Sequence, residues 1–142
     1  MTNVHRSAIV PRPAALLFEL VDRCEDYPKR FAWCQGASVL ERTAGHVVAK
    51  LDLRHGGLTT TFTTRNTREP TERITLHLVD GPFTALDGVW QFTPLGETGC
   101  KVALDLRFSV SNKLVGSALA IGFKSLADRL VDDFVRAALA SA

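Results

Sequence analysis

The stretch that decides the fold runs from Val79 to Leu95 and reads VDGPFTALDGVWQFTPL. It opens with Asp80-Gly81-Pro82, which is typical of a turn: Asp bonds the backbone ahead of it, Gly tolerates positive φ and Pro fixes its own φ. Beyond the turn, alternate positions carry the residues of one strand face: Leu86, Gly88, Trp90 and Phe92. Because a glycine between Leu86 and Trp90 leaves room on that face, the stretch predicts a sheet that lines a pocket.

The rest of the chain continues this alternation through further short strands, separated by Gly- and Pro-containing turns. We predict strands at 5–10, 37–43, 46–54, 57–68, 72–79, 85–93 and 99–109. Apolar residues collect on one face of these strands, and Thr, Lys, Arg and Asp collect on the other. This pattern predicts an antiparallel sheet that is solvated on one side and covered on the other.

In the two remaining parts of the chain the apolar residues have the spacing of helices. Residues 13–23 predict one helix and residues 26–31 a short helix or turn, whereas a long helix follows an N-cap at Ser111 or Asn112. The long helix has an apolar stripe at every third or fourth position: Leu119, Phe123, Leu126, Leu130, Phe134 and Ala138. Because no other element is long enough to cover the sheet, we predict an α+β helix-grip fold, with a curved antiparallel sheet wrapped around the C-terminal helix.

Length and composition narrow the class of protein. The 142 residues suit one domain, which we place at 1–142, and the net charge of +2 is too small for bulk attraction to nucleic acid. No apolar run approaches the roughly 20 residues of a membrane span, and the N-terminus lacks the pattern of a secretory signal. Three cysteines without a Cys-x-x-Cys pair favour a reducing compartment. We therefore expect a cytoplasmic protein that does not bind DNA.

Polar residues with catalytic or metal-binding potential are scattered. The four histidines lack ligand spacing with a Cys or a carboxylate, no serine lies in a Gly-x-Ser-x-Gly context, and no acid/base pair falls on the apolar face. We expect no metal site, no catalytic residue, no required cofactor and no enzyme.

Several motifs carry a resemblance to a known family. They are Tyr27-Pro28, Trp33-Cys34, 62–66 (FTTRN), 79–83 (VDGPF) with the spaced residues up to Leu95, Phe108 and 112–114 (NKL). On these motifs the chain resembles the coenzyme Q-binding and ribosome-association-toxin (RatA) family of the START-like superfamily, which is also grouped with polyketide cyclases. The resemblance covers about Val4 to Leu139.

The resemblance implies binding of ubiquinone or a related prenyl lipid, in support of respiratory quinone function. Its alternative implication is a toxin that binds the large ribosomal subunit and blocks subunit association, and a polyketide cyclase-like enzyme is a third. Peripheral contact with a membrane stays open.

The residues agree with an apolar ligand, because small side chains at inward positions would leave a tunnel between the sheet and the helix. These are Ala49, Thr60, Gly88, Gly122 and Ala127. The alternative is that they let helix and sheet pack closely around a filled core. We predict a hydrophobic small molecule in contact with Phe62, Leu76, Leu86, Gly88, Trp90, Phe92, Leu104, Leu106, Phe108, Gly122, Phe123, Leu126 and Leu130.

The solvated face offers a second candidate surface. Its basic residues are Lys50, Arg54, Arg65, Arg73, Lys101 and Arg107, with Arg68 in a neighbouring turn. They are opposed there by Asp52, Asp87 and Asp105. A basic stripe of this kind predicts contact with the phosphates of ribosomal RNA. The alternative is an ordinary solvated face whose residues favour strands and solubility.

Overall fold

The computed structural model describes residues 1–111 and 114–140. The helices in this part of the chain are α1 (Ala14–Asp22), α2 (Tyr27–Arg30) and α3 (Leu114–Ala140), with a 3-10 turn at Cys24–Asp26 before α2. The strands are β1 (Thr2–Val10), β2 (Cys34–Arg42), β3 (His46–His55), β4 (Leu58–Glu69), β5 (Arg73–Asp80), β6 (Ala85–Leu95) and β7 (Gly99–Ser109). Asn112, one of the two predicted N-cap residues of the long helix, lies outside the described residues.

The strands form a single antiparallel sheet in the order β1-β7-β6-β5-β4-β3-β2. Consecutive strands from β2 to β7 are neighbours, so hairpins build most of the sheet. The tightest hairpin joins β3 to β4: His55 pairs with Leu58, and Gly56 between them has φ of +59°. Glycine, which has no Cβ, adopts such a backbone at no steric cost. β1 closes the order by pairing with β7, which sets Val10 opposite Cys100.

Strand β2 begins three residues before its predicted start at 37. Its pairing with β3 shifts register between Cys34 and Gly36 and again between Val39 and Glu41. Such bulges place two residues of one strand opposite one of the other, so the side-chain alternation is interrupted. An alternation pattern therefore could not detect the first part of this strand.

Helix α3 covers the apolar face of the sheet, as predicted. Leu126, Phe134 and Ala138 are almost completely buried, and Leu130 is half-buried at the edge of the stripe. The fully buried side chains of the strands include Val47, Ile74, Val102, Leu104 and Phe108. The architecture is the α+β helix-grip fold that the sequence predicts. No described helix is both long enough and apolar enough to cross a bilayer.

Candidate functional site

A cavity of about 90 Å³ lies between the sheet and α3. Most of the predicted ligand-contacting residues line it: Phe62, Leu76, Leu86, Trp90, Leu104, Leu106, Phe123, Leu126 and Leu130. Strand alternation and helix periodicity bring them together because both patterns point their side chains to the same interior. Nine of the thirteen predicted residues thus border one shared cavity.

The remaining predicted residues lie outside the lining. Phe92 packs edge-on against Phe18, with ring centroids 5.6 Å apart, and Phe108 packs against Phe123 at 4.9 Å. Both rings are buried in the core and do not border open space. The sequence could not separate these aromatic residues from the lining because all share the same face of the sheet.

Gly88 and Gly122 require a correction. A Cβ at Gly88 would lie 2.7 Å from Leu106 Cδ1, and a Cβ at Gly122 would lie 2.7 Å from Leu58 Cβ. The space beside each glycine is thus already occupied, and the expectation that these residues open a tunnel is wrong. At both positions the absence of a side chain instead lets neighbouring elements approach closely.

The size of the cavity limits what it can hold. Pockets for cofactors and drug-sized ligands usually measure about 300–1,000 Å³. A cavity of about 90 Å³ accommodates a small apolar group, whereas a complete prenylquinone needs side chains to move. The roomy tunnel expected from the sequence is absent from this conformation of the described residues.

One end of the cavity is polar, which the sequence interpretation missed. Thr64 Oγ1 donates to Asn66 Oδ1 at 2.7 Å, and Asn66 Nδ2 lies 3.9 Å from Cys24 Sγ. The hydroxyl of Tyr27 donates to the Val21 carbonyl. Strand alternation could have revealed this end, because residues 64 and 66 lie on the same face of the strand as Phe62. This end offers one amide and one hydroxyl to a polar group of a ligand.

Burial keeps the ionisable groups of this polar end neutral. Removal from water raises the pKa of the Cys24 thiol to about 12 and that of the Tyr27 phenol well above its usual value. At neutral pH the thiol is therefore protonated and a poor nucleophile. No Asp, Glu, His, Lys or Arg of the described residues lines the cavity. The ionisable side chains of the lining that the structure describes are thus a protonated thiol and a protonated phenol.

Beyond the polar end, Asp22 at the end of α1 forms a buried ion cluster. Its carboxylate accepts Arg68 Nε at 2.8 Å and Arg42 Nη1 at 3.2 Å, and the Arg68 guanidinium lies 5.5 Å from the Phe18 ring centroid. Arg68 was predicted to sit in a turn beside the solvated basic face. Its even position on β4 instead directs it to the covered side, where it is part of the fold.

The predicted basic face carries less free charge than its sequence indicates. Arg107 pairs with Asp87 at 3.0 Å, Arg73 pairs with Glu69 at 3.3 Å, and Arg65 lies 3.3 Å from the ring of His46. Lys50 and Lys101 are exposed and have no ion pair with a described residue. Acidic partners thus neutralise part of this face.

A groove of about 490 Å³ at one end of the molecule contains Arg54, which the sequence had placed on the basic face. Arg30 from α2 and Arg129 and Arg136 from α3 also line it. One carboxylate, Asp133, is buried at its edge. We call these five residues and the space between them the arginine groove. His55 also lines the groove, and its Nε2 lies 3.0 Å from the Ser125 hydroxyl.

Metal ligands are not clustered in the described part of the chain. No group of three His, Cys, Asp or Glu side chains there lies close enough to hold an ion.

Comparison with known protein families places this chain in one of them. The sequence profile described as "Polyketide cyclase / dehydrase and lipid transport" matches residues 10–135. The chain belongs to this family. The resemblance predicted from the sequence is thereby confirmed.

Two relatives and one solved structure are similar to this chain over most of its length. The chain is 42% identical over 137 residues to a protein of Pseudomonas aeruginosa named "Ribosome association toxin RatA", covering 96% of this chain and 95% of the relative. It is 40% identical to a protein of the same name from Escherichia coli K12, covering 94% and 85%. Among solved structures, the Zhui aromatase/cyclase from Streptomyces sp. R1128 matches with a TM-score of 0.82 at 21% identity, covering 97% and 93%. That last similarity bears on the fold alone.

Proposed function

We propose that this protein binds the large ribosomal subunit and inhibits translation by preventing subunit association. The observation that carries the proposal is the near full-length identity of about 40% to relatives named ribosome association toxins. The sequence resemblance gave this function as the alternative to quinone binding, and it is now the main proposal. Such a role places the protein in the cytoplasm.

Strong expression of the protein in a bacterial host tests this function. We expect growth to stop, free subunits to accumulate at the expense of 70S ribosomes in sucrose gradients, and the protein to sediment with the 50S peak. A gene with an early stop codon, transcribed at the same level, is the control. Normal ribosome profiles despite abundant folded protein would exclude the proposal.

The cavity favours a second function, binding of an apolar ligand with one polar group. Its lining is almost entirely apolar, and the Thr64–Asn66 pair supplies hydrogen-bonding groups at one end. Burial of an apolar group gains about 25 cal/mol per Å² removed from water, so no charged contact is needed. Ubiquinone or a related prenyl lipid is the proposed ligand, and side chains of the lining must move to admit it. A binding role also agrees with the neutral lining, which gives no support to a cyclase-like reaction.

Native mass spectrometry of the purified protein, with lipid extraction, tests the ligand. We expect a bound apolar molecule, or uptake of added short-chain ubiquinone, in the unmodified protein. Leu76→Phe adds bulk to the lining at a half-buried position, where a larger side chain is tolerated best, and should reduce uptake. Equal uptake by this variant, or none by the unmodified protein, would count against the cavity as the binding site.

A further inference from the structure

The arginine groove combines guanidinium groups from three separate parts of the chain. Arg30 ends α2, Arg54 lies near the end of β3, and Arg129 and Arg136 lie on α3. All four side chains are exposed, whereas Asp133, the acidic side chain in the lining, is 7% exposed. Four positive groups therefore face solvent across a groove in which the opposing charge is buried.

Asp133 fixes the geometry of this groove. Its Oδ2 accepts Trp33 Nε1 at 3.0 Å and Arg129 Nε at 3.3 Å, and its Oδ1 accepts Arg136 Nη1 at 3.2 Å. The indole is held in turn by stacking on Phe31, with ring centroids 4.8 Å apart and planes at 9°. Each guanidinium has five N–H donors, so Arg129 and Arg136 keep further donors after this contact.

The other two arginines make no ion pair with a described residue. Neither Arg30 nor Arg54 lies within ion-pair distance of an acidic side chain, although both are part of the groove. Four positive charges share this groove with one carboxylate, and the repulsion that remains costs stability unless an anion relieves it. The predicted basic face on the solvated side of the sheet, here called the convex face, differs. Two of its arginines, Arg73 and Arg107, each have an acidic partner of their own.

We propose that the arginine groove binds the phosphate backbone of RNA and is the surface through which the protein contacts ribosomal RNA. The second half of this statement rests on the proposed ribosomal function. Guanidinium groups bind phosphate through two parallel N–H···O bonds, and Arg is preferred over Lys for such contacts. A groove of about 490 Å³ is large enough for successive phosphates to contact separate arginines. The buried Phe31 and Trp33 act as a support and do not stack on bases.

A matched pair of double variants tests the groove. Arg30→Gln with Arg54→Gln removes two groove charges, whereas Lys50→Gln with Lys101→Gln removes two unpaired charges from the convex face. Both pairs change the net charge from +2 to zero, and all four side chains are exposed, so the fold should tolerate them. Circular dichroism and thermal unfolding establish that both variants fold like the unmodified protein.

Two probes are used with each variant: purified 50S subunits and a single-stranded RNA 12-mer, both titrated between 50 and 200 mM salt. The groove variant should bind both probes roughly 10- to 100-fold more weakly at the lower salt concentration. Its salt slope on the 12-mer should decrease by roughly 1.4, since each lost phosphate contact contributes about 0.7 on single strands. The convex-face variant should stay within about threefold of the unmodified protein.

The outcomes separate the groove from the ribosomal function. If the unmodified protein binds the RNA 12-mer through the groove but not the 50S subunit, the RNA site stands and the ribosomal function fails. If it binds the 50S subunit and the groove variant binds equally well, the ribosomal function stands and the groove proposal is wrong. Equal losses of affinity in both variants would indicate that binding depends on the net charge of the protein, and would contradict the groove proposal. Loss of 50S binding without any RNA binding would indicate a protein partner and overturn the RNA proposal.

Discussion

Truncation of Phe134 to alanine should lower the free energy of unfolding by about 3–5 kcal/mol. Phe134 is 1% exposed, and its ring contacts Phe31 at 4.7 Å, Trp90 at 5.2 Å and Tyr27 at 5.4 Å between centroids. It therefore joins α3 to the sheet and to the α2 region through one side chain. The loss combines burial, edge-on aromatic contacts and the cavity left behind. Urea denaturation followed by circular dichroism measures it.

Phe134→Leu is the matched control, because it keeps most of the buried volume. It should cost less than about 2 kcal/mol. Phe134 also borders the existing cavity, so the alanine variant should have a larger one and should gain thermal stability from benzene more than the leucine variant does. A cost below about 1 kcal/mol for Phe134→Ala would mean that the aromatic cluster collapses around the gap.

Periodicity was sufficient to predict the sheet and its covering helix. Strand alternation places Leu86, Trp90 and Leu104 on one face independently of tertiary contacts. The helical repeat likewise places Leu126 and Phe134 on the same side of α3. Asn66 and Arg68 lie at even positions of β4, as Phe62 does, so alternation alone places them on the inner face. The sequence interpretation gave the polarity of these side chains more weight than their positions. Local patterns thus determine which way a side chain points.

Close approach between distant segments could not be predicted in this way. Gly88 faces Leu106, and Gly122 faces Leu58, and neither partner is near its glycine in sequence. Whether a glycine opens a space or lets a neighbour fill it depends on those partners. The sequence leaves both alternatives open, and the packing decides between them.

The arginine groove was missed for the same reason. The ion pair of Arg129 with Asp133, at 3.3 Å, has the four-residue spacing that places two side chains on the same side of a helix. However, Trp33 lies 100 positions from Asp133, and Arg30 reaches the groove from the short helix before β2. A face-by-face interpretation assigned Arg54 to the sheet alone. Convergence of charges from three elements is a property of tertiary structure, which a strand pattern does not contain.

The second large effect concerns Asp22. Replacement by alanine should lower the free energy of unfolding by about 3 kcal/mol, because it leaves Arg68 without its acidic partner. The side chains of Arg68 and Asp22 are 17% and 9% exposed, so water cannot fully replace the carboxylate. The loss of the Asp22 carboxylate would cost less at Arg42, because Arg42 is more exposed and also pairs with Glu25 at 2.9 Å. Urea denaturation at neutral pH gives the free energy.

Asp128→Ala is the matched control for this cluster. Asp128 also accepts from two cations, Arg6 at 2.7 Å and Lys124 at 2.8 Å, but its side chain is 29% exposed and its partners are more exposed still. Exposed pairs contribute about 0–1 kcal/mol, so this variant should be much less destabilised than Asp22→Ala. If the two variants lose equal stability, solvent must reach the Asp22 cluster. That outcome would contradict the assignment of Arg68 to the covered side of the sheet.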